Sequence, residues 1–98
     1  MLNKAMMLVK TGSKQYSITL QNNTTSGIVL SHTKAIEGTI VTVTCTSEGK
    51  TCPGIYVECS VTGNTLYPGI IGYVNDSRTF TMPAEDVTVR IEDTGEPW

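Results

Sequence analysis

The chain has 98 residues, of which 39% are apolar and only 16% charged, with a formal net charge of −2. That length holds one modest core and leaves no room for a second domain. Scattered Lys and Arg residues and a slightly acidic balance argue against nucleic-acid binding, and no stretch approaches the roughly 20 consecutive apolar residues of a membrane-spanning helix.

Residues 1–14 begin like a targeting segment, but the apolar run Ala5 to Val9 is too short for a secretory core and is closed by Lys10. This segment is read as a linker, an expression remnant or a lead-in strand, with any export signal lying outside this sequence.

Strand signals then recur at short intervals. Tyr16, Ile18 and Leu20 alternate with Ser17 and Thr19, the period-two pattern of a half-buried strand. The turn residues of QNNTTSG (21–27) follow, and IVLS (28–31) is expected as a hairpin partner. HTKAIEG (32–38) is too short for a stable helix, so one helical turn at most, or a bend, is expected there. TIVTVTCT (39–46) places Val41, Val43 and Cys45 on one face and Thr42, Thr44 and Thr46 on the other. SEGKTCPG (47–54) is a loop by composition, because Gly49, Pro53 and Gly54 interrupt regular pairing.

IYVECSVT (55–62) aligns Ile55, Val57, Cys59 and Val61, which leaves Tyr56 out of phase and pointing outward. Gly63 and Asn64 read as a turn. In TLYPGIIGYVNDSR (65–78), Pro68 and Gly69 weaken any central-strand assignment, so an irregular or edge strand near 70–74 is expected. The last pieces, TFTM (79–82) and VTVRIE (87–92), bring Phe80, Met82, Val87, Val89 and Ile91 onto a buried face. Between them, Pro83 fixes φ and lacks an N–H, Asp86 is expected to fold back onto neighbouring amides, and Glu85 is expected to be solvated. Pro83 and Asp86 are therefore read as a structural turn that keeps the two closing strands in register.

These signals predict an all-β fold: a small single-domain β-sandwich or β-grasp-like module over residues 15–92. It should hold about six to seven mostly antiparallel strands, with little or no helix. Residues 93–98 are expected to form a mobile tail, unless Trp98 packs back on the body.

The order YSITL, GIVLS, AIEGTIVTVTCTSEG, SVTGN and TFTMPAEDVTVRI resembles the bacterial repeat domains allied to internalin-type B repeats of surface and secreted proteins. Ala35 and Gly38 supply that family's turn before a Val-Thr-rich strand. Phe80, Met82, Pro83, Ala84, Asp86, Val87, Thr88 and Val89 supply its closing strand pair. The likeness covers residues 15–92, and it departs at Arg90, Ile91 and Glu92 and in the Cys52-Pro53 loop. The resemblance implies a non-catalytic module of a bacterial cell-surface or secreted protein, strung in tandem as a spacer or adhesion-associated interaction domain. Its implied partners are neighbouring modules of the same chain and protein or carbohydrate at the cell surface. It implies no catalytic residue and no cofactor.

Chemistry-bearing residues are few. Cys45, Cys52 and Cys59 recur at intervals of seven without a Cys-x-x-Cys pair, and the lone His32 lies far upstream, so no zinc spacing exists. Cys45 and Cys59 could form a disulfide if their strands were antiparallel neighbours; otherwise they are small buried hydrophobes, and Cys52 is the exposed thiol. Ser31 and His32 could be assembled with Cys45 or Asp86 into a nucleophilic site, but no motif supplies the oriented base or oxyanion hole. Glu85, Asp86, Glu92 and Asp93 lack the dense acidic pattern of a calcium loop. Tyr56, Tyr67 and Tyr73 remain as candidate ligand contacts, for a glycan or a host protein, because aromatic faces suit both.

Overall fold

The computed structural model describes residues 14–98. Eight strands run through them: β1 (Gln15–Asn22), β2 (Gly27–Leu30), β3 (Lys34–Ile36), β4 (Ile40–Ser47), β5 (Pro53–Cys59), β6 (Thr65–Ile70), β7 (Ser77–Thr81) and β8 (Val87–Asp93). No helix is present among the described residues, and none is long and apolar enough to cross a membrane. A five-stranded sheet in the order β3-β1-β8-β5-β6 faces a three-stranded sheet in the order β2-β4-β7. The fold is thus all-β and sandwich-like.

Alternation decides which side chains meet between the sheets. Val41, Val43 and Cys45 of β4, Ile55, Val57 and Cys59 of β5, and Val87, Val89 and Ile91 of β8 are all buried in one core with Ile18, Ala35, Ile71, Phe80 and Met82. Full burial of an aliphatic side chain contributes about 1.5–3 kcal/mol, so these period-two runs are what hold the layers together. β8 sits at the centre of the larger sheet. It pairs antiparallel with β5 from Val87↔Cys59 to Asp93↔Pro53, and parallel with β1 from Ile18↔Val87 to Asn22↔Ile91.

Several expectations are corrected. β1 and β2 are not a hairpin: the chain leaves β1 for the other sheet, where β2 pairs with β4. The 32–38 stretch forms an eighth strand, β3, whose Ala35 pairs with Tyr16 and is buried in the core. The edge strand of the 65–78 piece lies at Thr65–Ile70, earlier than expected, and Pro68 is tolerated there because β6 has a neighbour on one side only.

The Pro83–Asp86 segment does not align two neighbouring strands either. β7 belongs to the small sheet and β8 to the large one, so residues 82–86 carry the chain across the sandwich. Register is set instead by β4 against β7 and by β5 against β8. Met82 anchors the crossing: its N–H donates to Thr39 O at 2.8 Å, and its O accepts from Gly38 N–H at 2.9 Å.

The tail is docked. Thr94 donates its N–H and hydroxyl to Cys52 O (3.2 and 2.7 Å), Cys52 N–H donates to Glu96 O (2.9 Å), and the Trp98 indole N–H donates to Gly49 O (3.0 Å). Trp98 packs against the core and closes this end of the sandwich. The linker assigned to residues 1–14 lies outside the described residues except for Lys14.

Candidate functional site

β5, β8 and β6 lie side by side, and their outward residues form the chemically richest face of the large sheet. Tyr56 stands opposite Arg90 in the β5–β8 ladder. The Arg90 guanidinium lies 4.6 Å from the Tyr56 ring centroid, and the Tyr67 ring stacks on Tyr56 with centroids 5.1 Å apart and planes at 29°. Arg90, Tyr56 and Tyr67 therefore form one ladder across three strands. Offset stacking contributes about 0.5–1.5 kcal/mol and a guanidinium over a ring a similar amount, so each layer holds the next in place.

Local backbone features make the ladder possible. The β5–β6 pairing shifts register between Ile55 and Val57, so an extra residue of β6 stands against Tyr56 where Tyr67 and Pro68 lie. Gly54 supplies room beside it, since a Cβ there would stand 2.9 Å from Thr94 Cγ2 and 3.5 Å from the Tyr56 ring.

The charges on this face form one network with a carboxylate in excess. Arg90 pairs with Glu58 and Glu92, each at 3.2 Å, and Glu92 also accepts from Asn23 Nδ2 at 2.6 Å. The Asn23 amide and the Arg90 guanidinium hold the Glu92 carboxyl below its ordinary value. Hydrogen bonding to Glu92, with Glu58 adding to it, keeps Arg90 above its own. Tyr73 is not part of the stack. It is 65% exposed on the loop after β6, a loop fixed by Asp76, which accepts from Gly72 N–H and Ser77 N–H and pairs with Arg78 at 2.8 Å.

A cleft of about 440 Å³ opens at the end of the sandwich where β1 begins, lined by Lys14–Tyr16, Ser60–Val61 and Ala84–Asp86. Its carboxylates serve the fold. Glu85, expected in solvent, is only 8% exposed: Oε1 accepts from Val61 and Thr62 N–H (2.6 and 3.0 Å) and Oε2 from the Thr62 hydroxyl (3.0 Å). The Thr62 amide, with the Val61 amide and Thr62 hydroxyl behind it, outweighs the opposing cost of burial and lowers the Glu85 pKa. Asp86 reaches Ser17 N–H at 2.8 Å, far away in sequence, rather than its own turn.

Of the two alternatives for Cys45 and Cys59, the structure shows the buried free thiols, and the expected exposure of Cys52 is corrected. Cys45 and Cys59 lie in different sheets, so their strands are not ladder neighbours, and all three cysteines are free and buried. Cys52 is shielded by the docked tail, donating to Pro97 O at 3.3 Å. Burial pushes the Cys45 and Cys59 thiols above their ordinary value.

Ser31 Oγ lies 2.7 Å from His32 Nδ1 and accepts from Thr42 N–H at 2.8 Å, which makes it a cap on the strand end. Among the described residues neither Cys45 nor Asp86 is hydrogen-bonded to His32, and no group of three or more His, Cys, Asp or Glu side chains is placed to hold a metal ion.

Sequence reasoning named Tyr56 and Tyr67 but missed their partner Arg90. The signal was its place in the outward phase of β8, level with Tyr56 only once the strand pairing is known. Comparison with family models, with curated proteins and with solved structures gives no match.

Proposed function

We propose that this chain is a non-catalytic module of a bacterial cell-surface or secreted protein, akin to the internalin-type B repeats, serving as a spacer or interaction domain. The observation that carries the reading is the parallel pairing of β1 with β8. The first and last described strands run side by side in the same direction, so the chain enters at one pole and leaves at the other. At about 3.3 Å per residue, β8 alone carries it some 23 Å along the module. Linked copies would then line up end to end rather than fold back on one another.

Two further features support it. The exit is stiff, because the tail is hydrogen-bonded to Cys52 and Gly49. The two halves of the family-like pattern meet physically, the Ala35–Gly38 turn being bonded to Met82. Small-angle X-ray scattering on two copies joined in tandem tests the reading. The longest dimension should grow by about one module length; a compact particle with the modules side by side would overturn it.

A further inference from the structure

We propose that the outer face of the large sheet is a saccharide-binding platform, with Tyr67 as the stacking ring and a neutral polysaccharide chain as its ligand. The inference deepens the interaction role and rests on the reading of the chain as a non-catalytic module.

Three observations carry it. Tyr67 is 54% exposed, and the stack with Tyr56 covers one face of its ring and leaves the other uncovered by that partner. Arg90 and Tyr56 fix it from behind, which leaves little ring freedom to lose on binding. The charges beside it are one guanidinium bridging two carboxylates, Arg90 with Glu58 and Glu92, and the carboxylate in excess disfavours an anionic ligand. What the face still offers is a π surface for the C–H side of a sugar ring and polar atoms for neutral hydroxyls.

The partner class follows from what surrounds the ring. A stable protein interface needs about 800 Å² on each side, with an apolar, desolvated centre. Here the apolar groups beside the ring are the half-buried Pro68 and Ile70, the latter level with Gly54, while the other outward residues, Thr65, Glu58, Thr88 and Glu92, are polar, which falls short of an apolar centre of that size. The face is an open sheet rather than an enclosed pocket, which fits a polymer lying across it better than a single sugar held end-on.

The test is a titration of the whole chain, followed by ¹H–¹⁵N correlation spectra, with cellohexaose, xylohexaose, mannohexaose and an arginine-rich peptide as probes. One or more oligosaccharides should shift the amides of Tyr56 and of Thr65 to Tyr67 saturably in the millimolar range. Tyr67→Ala should weaken that binding about tenfold or more, while Tyr73→Ala leaves it unchanged; the same spectra report whether each variant is folded. No saturable shift with any oligosaccharide, equal binding by Tyr67→Ala, or binding of the peptide alone would each overturn the proposal. A compact tandem in scattering would remove the spacer role without touching this readout, so the two failures are distinguishable.

Discussion

At the scale of single residues, Glu85 shows how a buried carboxylate serves a β fold. The turn between β5 and β6 directs two amide hydrogens, those of Val61 and Thr62, at the Glu85 carboxylate. An ionised carboxylate accepts from both and from the Thr62 hydroxyl, which lowers its pKa. A depressed folded-state pKa means that the unfolded chain binds its proton first as pH falls. The contribution of Glu85 is therefore complete at neutral pH and is lost on acidification through and below the ordinary glutamate range, about pH 4. Thermal melts of the wild type and of Glu85→Ala should differ by several degrees at pH 7 and converge towards pH 3.

Gly49 is a second residue whose role is set by neighbours distant in sequence. Its N–H donates to Ser26 Oγ, its carbonyl accepts from Trp98, and a Cβ would stand 2.5 Å from Ser26 N. Gly49→Ala should cost about 1–3 kcal/mol in a urea titration. Gly72→Ala, where nothing lies within 4 Å of the added carbon, should be close to neutral. The thiols give a parallel readout. Burial raises the Cys45 and Cys59 pKa values and the tail covers Cys52, so none of the three should react with a thiol reagent in the native protein, and all three should react once it is unfolded.

At the scale of elements, the strands were legible because their inward positions alternate with Thr, Glu or Arg, as in Val87, Val89 and Ile91 against Thr88, Arg90 and Glu92. Their partners were not. Alternation gives a face and not a neighbour, so it places Cys45 and Cys59 inward but leaves open whether their strands adjoin, and they belong to different sheets. For the same reason the crossing at Pro83 reads as a turn that holds the two closing strands in register, although they lie in different sheets. β3 escaped notice because three residues are too few to show a period. Glu85 escaped because nothing near it in sequence announces the amides of Val61 and Thr62. The Tyr56–Tyr67 ladder was half legible: outward phase was readable for Tyr56, but its meeting with Tyr67 depends on the register shift opposite Ile55 and Val57.

The sheet edges form a set at this scale, each blunted by a different device. β3 is three residues long, β6 carries Pro68 and an irregular register, and β2 shifts register at Gly27. β7 is regular, and its protection is electrostatic: Ser77 N–H donates to Asp76, while Ser77 O accepts from Arg78 at 2.7 Å, so neither group is free for an incoming strand. Arg78→Ala should keep the fold but raise concentration-dependent association in light scattering, and Lys50→Ala, in the exposed loop between β4 and β5, should not.

At the scale of the whole molecule, the ends of the described chain close the structure. β1 and β8 pair across almost the whole length of the described chain, and the tail covers the pole where Trp98 lies against the core. With one core shared by both layers, the sheets have no separate stability and should melt together. Trp98 is the only tryptophan, so its fluorescence reports the pole, while far-ultraviolet circular dichroism reports the strands. The two denaturation curves should coincide for the intact chain, because the indole is packed on the same residues that the strands bury. Removing residues 94–98 deletes the indole contact and the bonds to Cys52 and Gly49, and should cost about 2–4 kcal/mol, in the range of other large-to-small losses at a core. Early loss of the tryptophan signal, with the strands still intact, would instead make the tail a separate and weaker unit. The stiff exit on which the end-to-end arrangement of modules depends would then be lost.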